Sequence, residues 1–79
     1  MKIVELNIRI PYKGRGAVLV HLYDKIRGKI RDIHFFPPTA DGVSEIRMEI
    51  VEDNPTGLLS ELKKVIKNGK ISFRVLSEA

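Results

Sequence analysis

The sequence contains no cysteine, which excludes disulfide bonds and metal sites built on thiolates. It also lacks tryptophan, and no apolar run approaches the ~20 residues of a membrane-spanning helix. The Met1-Lys2 start leads into alternating residues without the apolar segment of a secretory signal, which predicts a cytoplasmic protein that does not bind membranes. A domain this small hides only about 60% of its surface on folding, so apolar packing or self-association must stabilise it.

The excess of positive charge is unevenly distributed. Lys and Arg outnumber Asp and Glu by 14 to 10, for a formal net charge of +4. Residues 1–31 carry eight basic and two acidic side chains, whereas residues 32–62 carry one basic and seven acidic. Because segments of opposite charge can attract within one sheet or between two copies, we favour internal or dimeric complementarity over a nucleic-acid surface.

Four segments alternate apolar and polar residues, the pattern of strands that are buried on one face. The second of them carries apolar residues on both faces, so it predicts an edge strand. The third is the clearest. The segments cover Ile3–Ile10, Lys29–Phe36, Glu45–Ile50 and Ile71–Leu76.

Between these strands, two segments repeat apolar residues at three- and four-residue spacing, which places them on one side of a helix. The first covers Ala17–Arg27 and stops at Gly28. The second starts with Asn54 as its cap and Pro55 at its first position. The apolar stripes are Leu19, Leu22, Tyr23 and Ile26 in the first helix, and Leu58, Leu59, Leu62, Val65 and Ile66 in the second. Around the end of the second helix, a solvated face that complements the helix dipole is predicted for Lys63, Lys64, Lys67 and Lys70.

Two strand-helix-strand units in succession predict an α+β fold, a ferredoxin-like βαββαβ plait with a four-stranded antiparallel sheet and two helices on one face. We expect a single domain over residues 1–79. The uncovered sheet face is expected to be a mixed-charge surface without the aromatic residues that stack bases in RNA-recognition plaits. It would consist of Glu5, Asn7, Arg9, Glu45, Arg47, Glu49, Ser72 and Arg74.

The loop before the first helix, Lys13-Gly14-Arg15-Gly16, is the best candidate for a binding site. Its glycines would let the backbone approach a ligand, and a helix N-terminus favours an anion such as a carboxylate or phosphate. Arg15 or Lys13 would pair with that anion. In the alternative, which stays open, the glycines only permit a tight turn and both cations lie in solvent.

No catalytic arrangement is visible in the sequence. His21 is predicted on the outer side of the first helix and His34 on an edge strand away from any carboxylate pair, and no nucleophile with an adjacent base can be named. Copper chaperones of this topology need cysteines that the first loop lacks. Acylphosphatases hold phosphate in that loop with an arginine, but their loop and their downstream asparagine are not reproduced. We therefore expect a protein that is not an enzyme and has no metal or cofactor.

The run GRGAVLVHLYDKIRGKIRDIHFFP, followed by SEIRMEIVEDNPTGLLSELKKVIKNGKISFRVL, resembles an ACT-type regulatory domain. The likeness covers nearly the whole chain and lies in the spacing from Gly14 through Leu19 and Leu22 to Ile30 and Ile33, and in the leucine-rich second helix. ACT domains have the βαββαβ plait, associate through strands or helices, and in many cases bind an amino acid at the interface. The resemblance implies a regulatory module that forms homodimers.

In ACT domains the ligand contacts the first turn of one subunit and the start of the second strand of another. Carried over to this sequence, the resemblance implies an amino acid or other small anionic metabolite bound by Lys13, Gly14, Arg15, Gly16, Ile30, Arg31 and Asp32. The turn departs from the ACT pattern, since the usual acidic residue and Pro-Gly pair are absent. The methionine-sensing domain of transporter ATPases is a second family that the chain resembles. The alternative function is a basic nucleic-acid-binding module that contacts phosphates without reading bases.

Overall fold

A computed structural model describes residues 1–78. Its elements follow the predicted order: β1 (Lys2–Pro11), α1 (Arg15–Ile26), β2 (Ile30–Phe35), β3 (Val43–Val51), α2 (Pro55–Val65) and β4 (Lys70–Glu78). The strands form one antiparallel sheet in the order β2-β3-β1-β4. The ferredoxin-like βαββαβ plait is confirmed.

The apolar core lies between the sheet and the two helices. The central strands β1 and β3 supply most of it, because alternate side chains of a strand point to the same face. Their fully or nearly fully buried residues are Val4, Leu6, Ile8, Ile10, Ile46, Met48 and Ile50. Leu22 and Ile26 of α1 and Leu58 and Leu62 of α2 close the core from above. Tyr23 was expected in the first apolar stripe but is 51% exposed, since it lies at the rim of α1 beside β2.

The two helices begin in different ways. The Asn54 side chain caps α2 as predicted, with its Oδ1 accepting a hydrogen bond of 3.2 Å from the Gly57 N–H, and Pro55 is the first helical residue. At the start of α1, Gly14 occupies the cap position with a φ of 80°, and no side chain caps the helix. That left-handed conformation favours glycine.

Each edge strand contains one extra residue that the alternating pattern did not predict. In β2, Ile30 pairs with Ile50 and Asp32 pairs with Glu49, so Arg31 is extra. In β4 the pairing with β1 shifts between Val75 and Ser77, which leaves Leu76 extra. Such bulges bend a strand and interrupt its ladder.

The other face of the sheet has no helix and carries the polar residues predicted for it. Cross-strand pairing orders them in rows: Arg74, Glu5, Glu49 and Asp32; then Ser72, Asn7, Arg47 and His34; then Lys70, Arg9 and Glu45. Arg74 Nη2 lies 3.2 Å from Glu5 Oε1, and Asn7 Nδ2 donates to the same oxygen at 3.1 Å. The Asn7 hydrogen bond, with the Arg74 and Arg47 charges, lowers the pKa of Glu5. Part of the charge is thus complementary within one chain, as expected.

Candidate functional site

The β1–α1 loop lies at one end of the sheet and is attached to the hairpin that joins β2 and β3. The Tyr12 N–H donates to the Gly42 carbonyl at 2.8 Å, and the Tyr12 carbonyl accepts from the Arg15 N–H at 3.3 Å. No atom lies within 4 Å of the place where a Cβ on Gly14 would stand. Glycine is therefore favoured at position 14 by its positive φ and not by crowding around it.

Arg15 points into the protein. Its guanidinium carbon lies 4.3 Å from the centroid of the Tyr12 ring, and its Nη1 donates to Ser44 Oγ at 3.2 Å. Ser44 is fully buried, so this bond gives its hydroxyl a partner inside the protein. Arg15 therefore holds the loop against β3, and Lys13 is the freer of the two loop cations.

A groove of about 290 Å³ runs from this loop to the end of α2. Pro11, Lys13 and Gly14 line one side, and Lys67 and Asn68 line the other. Both lysines are exposed, and neither forms an ion pair within residues 1–78. An anion in this groove would meet two ammonium groups beside a glycine backbone.

The positive surface continues from the groove around the start of β4. Arg9, Lys63 and Lys70 line a neighbouring hollow of about 680 Å³, which also contains Glu45. We call Arg9, Lys13, Lys63, Lys67 and Lys70 the basic end. None of the five is joined to an acidic group in the described part of the chain by an ion pair of 4 Å or less. Positive charge is thus concentrated where the loop and the end of α2 meet.

The other predicted ligand residues, Ile30, Arg31 and Asp32, lie at the opposite end of the sheet. Ile30 pairs with Ile50 near the end of β3, whereas Ser44 beside the loop is near its start. Six residue steps separate the two points, roughly 20 Å at ~3.4 Å per residue. A single chain therefore does not bring the two groups of predicted ligand residues together.

His34 has an acidic partner that the sequence interpretation did not give it. Its Nε2 lies 2.9 Å from Asp32 Oδ2, while Asp32 Oδ1 accepts from the Ile33 N–H at 2.9 Å. His34 was predicted away from any carboxylate pair, and in the structure one carboxylate, that of Asp32, lies beside it. The two-residue spacing, which places both side chains on one face of a strand, was the available signal. His21 is exposed, as predicted.

Residues 1–78 contain no group of three or more His, Asp or Glu residues that could hold a metal ion. In the same range, no helix is long and apolar enough to cross a membrane.

Sequence reasoning also missed an apolar groove of about 280 Å³ between α1 and β2, here named the α1–β2 groove. It is lined by Leu19, Val20, Tyr23, Asp24, Ile30, Ile33, Phe35 and Met48. Val20 is 63% exposed and Phe35 is 55% exposed. Large apolar side chains are thus exposed together beside the edge strand β2. Such patches are typical of surfaces that bind a partner or a ligand.

No family model and no curated protein matches this chain. Solved structures do. An uncharacterized protein from Thermotoga maritima is 14% identical with a TM-score of 0.76, over 96% of this chain and 98% of that chain. The C-terminal domain of the MgtC protein from Mycobacterium tuberculosis is 12% identical with a TM-score of 0.71, over 95% and 87%.

A formyltetrahydrofolate deformylase from Pseudomonas putida KT2440 is 19% identical with a TM-score of 0.68. The match covers 96% of this chain but only 29% of that protein. These likenesses support the plait alone. The resemblance to ACT domains agrees with this fold, and its functional implications stay predictions.

Proposed function

We propose that this chain is a small, non-enzymatic regulatory module that forms homodimers and binds an amino acid or another small carboxylate at the β1–α1 loop. The observation that carries the proposal is the groove that Lys13 and Lys67 both line, each without an acidic partner in the described residues. The ACT-like resemblance and the plait fold agree with it. Homodimer formation is supported by the α1–β2 groove, since a small domain gains stability by covering such a surface.

In this proposal the ligand carboxylate lies between the Lys13 and Lys67 ammonium groups, near the backbone of Gly14. The first turn of α1 has no acidic residue. An anion there would complement the positive end of the helix dipole, a contribution of about 0.3–1 kcal/mol at an exposed site. Arg15 keeps the loop in position through Tyr12 and Ser44 and does not pair with the ligand.

The decisive experiment is a thermal-shift screen of amino acids, other small carboxylates and inorganic phosphate. A ligand that binds only the folded state raises the melting temperature, so at least one carboxylate is expected to do so. The shift should disappear in the double variant Lys13→Ala/Lys67→Ala. Lys64→Ala is the matched control, because Lys64 lies in the last turn of α2, three residues before Lys67, but pairs with Glu61 at 3.5 Å. No shift with any carboxylate, or a shift that survives in the double variant, would exclude this site.

Light scattering at micromolar concentration tests the homodimer separately. We expect the mass of two chains. A mass of one chain across the micromolar range would refute self-association and leave the thermal-shift result to decide ligand binding.

The second candidate function is nucleic-acid binding without base readout, and the basic end favours it. Fluorescence anisotropy with single-stranded and duplex oligonucleotides would test it. Binding should weaken steeply with salt, and each basic residue removed from a phosphate contact should reduce the salt slope by about 1. Lys70→Ala would then weaken binding, while Arg27→Ala, outside the basic end, would not. Absence of binding at low salt would refute this candidate.

A further inference from the structure

We infer that the ligand of the β1–α1 loop is an elongated dianion, whose second anionic group is bound by Arg9 and Lys70. This inference rests on the proposed function and adds to it a class of ligand and a second binding point. The observation that carries it is a continuous trough that leads from the groove beside the loop to the start of β4.

Three hollows form the trough, and each shares lining residues with the next. The groove beside the loop, here named the loop groove, shares Ile10 and Asn68 with a hollow of about 300 Å³ at the end of β1. That middle hollow shares Arg9, Gly69 and Lys70 with the hollow of about 680 Å³ at the start of β4, here named the far hollow. A ligand anchored in the loop groove can therefore extend along the surface to the far hollow.

The two ends of the trough carry different cations. Lys13 and Lys67 line the loop groove, and neither of them lines the far hollow. Arg9, Lys63 and Lys70 line the far hollow, and none of these three lines the loop groove. A compact carboxylate can occupy only one of these hollows, whereas a ligand with an anionic group at each end can use the cations of both.

Arg9 and Lys70 are placed to share one anionic group. They lie opposite each other in the register of β1 and β4, so their Cα atoms are separated by about 5.5 Å or less. Both side chains are exposed. The planar guanidinium of an arginine matches the two oxygens of a carboxylate or phosphate, and a lysine ammonium adds a second positive charge.

The backbone fixes how far apart the two ends can be. Lys67 and Lys70 are three residues apart, so their Cα atoms are separated by at most about 11 Å. Between them, a Cβ on Gly69 would clash with the Arg9 carbonyl and would lie 2.8 Å from Ile10 Cγ2. Glycine at this position therefore lets the turn pack closely against β1, with one lysine on each side of it.

Acidic residues limit the length of the ligand. Glu45 lines the far hollow and lies opposite Arg9 in the register of β1 and β3. Asp41 is also within range of the Arg9 charge. Farther along the same sheet face, Glu5 and Glu49 are paired across the strands. A long polyanion that continued onto this face would meet these carboxylates, so the trough fits a short dianion better than a nucleic-acid strand.

Thermal-shift titrations with straight-chain dicarboxylates, from malonate to suberate, test the class of ligand. Each is compared with the monocarboxylate of the same carbon number. The best dicarboxylate should bind about twofold to thirtyfold more tightly than its monocarboxylate, the factor expected for two exposed ion pairs. A phosphonocarboxylate of the best length forms a second arm, and the tighter of the two arms identifies the second group as carboxylate or phosphonate.

Charge-removing variants test the place of the second group. Arg9→Gln/Lys70→Gln should reduce the ratio of the two affinities to about one, and Lys70→Gln alone should reduce it in part. Lys2→Gln/Arg27→Gln is the matched control, because it removes the same charge where β1 begins and α1 has ended, at the other end of the sheet. This control should keep the ratio of the natural chain.

The outcomes separate this inference from the function on which it rests. If monocarboxylates bind and no dicarboxylate binds more tightly, the dianion is refuted and the proposed function stands. A ratio that survives in Arg9→Gln/Lys70→Gln would refute these two residues as the second binding point. Absence of binding by every carboxylate would refute both proposals. A single-stranded oligonucleotide that binds more tightly than any dianion, and that the same double variant no longer binds, would overturn the short ligand in favour of nucleic acid.

Discussion

The second strand-helix-strand unit, β3–α2–β4, covers more of its own apolar surface than the first unit, β1–α1–β2. Ile71 and Phe73 of β4 are half-buried against the core, whereas Ile33 and Phe35 of β2 are exposed. α1 likewise leaves Val20 largely uncovered. The two units have the same element order, so topology alone does not determine which surfaces are closed. The first unit therefore has more apolar surface left uncovered.

Substitutions in the shared core should have the largest effect on stability, and they should affect both units equally. Leu22 of α1 and Leu62 of α2 are both fully buried. Leu22→Ala and Leu62→Ala are each expected to lower the free energy of unfolding by about 2–5 kcal/mol, from lost burial and the cavity left behind. Urea unfolding followed by circular dichroism would measure this.

Val20→Ala is the control, because Val20 is largely exposed in the single chain and should cost less than about 1 kcal/mol there. A loss below about 1 kcal/mol for Leu22→Ala alone would mean that the first unit is loosely packed throughout, and not only at its rim.

Replacing one glycine in each unit with alanine should change the stability of the protein in opposite directions. A Cβ on Gly69, just before β4, would clash with the Arg9 carbonyl and with Ile10. Gly69→Ala should therefore cost about 1–3 kcal/mol. Gly16 lies in α1, and no atom lies within 4 Å of the place where its Cβ would stand, so Gly16→Ala should stabilise the protein by about 0.5–1 kcal/mol. Thermal unfolding of both variants would check this, and equal signs would contradict it.

Loss of the α2 cap should have an intermediate effect. Asn54→Ala removes the side-chain acceptor of the Gly57 N–H and should cost about 1 kcal/mol. Asn68→Ala is the matched control, because Asn68 lies in a loop and its side chain makes no hydrogen bond with the rest of residues 1–78. Urea midpoints compare the two. Equal midpoints would show that the Asn54 cap does not stabilise α2. The different starts of the two helices would then make no difference to stability.

The smallest effect concerns the uncovered sheet face that both units share. The Asn7 hydrogen bond, with the Arg74 charge, lowers the pKa of Glu5 in the folded state below its usual 4.5. A carboxyl whose folded pKa is depressed stabilises the fold above its unfolded pKa, and this contribution is lost as the pH falls through the folded pKa. Arg74→Ala should therefore cost about 0.5 kcal/mol at pH 7 and nearly nothing in strong acid.

Unfolding by urea at the two pH values would measure this difference. Glu5→Gln is the control, since removing the titrating group should abolish the pH dependence assigned to it. An Arg74→Ala cost that does not change with pH would mean that Arg74 stabilises the sheet by packing.

The sequence predicted the elements whose signals are local. Alternation located the central strands, and Asn54-Pro55 located the start of α2. The extra residues Arg31 and Leu76 were not predictable, because pairing with a distant strand determines a bulge. The bond from Arg15 to Ser44 joins residues 29 positions apart. No local pattern signals such a contact.

The candidate site shows the same division. The glycine loop was evident from its composition, but its position opposite the end of α2, which brings Lys67 near Lys13, follows from tertiary packing. The Asp32–His34 contact is different, since two-residue spacing in a strand contains the information. The α1–β2 groove was hidden because Tyr23 fits the helical stripe as well as any core residue does.

The hydrogen bond between Ile33 and Asp32 also bears on aggregation, because it occupies a backbone donor of the edge strand β2. An open strand edge accepts almost any extended segment, including segments of other unfolded proteins. Within the chain, the Ile33 N–H already donates to the Asp32 carboxylate at 2.9 Å. An added strand that took this N–H would have to displace the carboxylate first. The Asp32 side chain therefore competes with any added strand at this position of the edge.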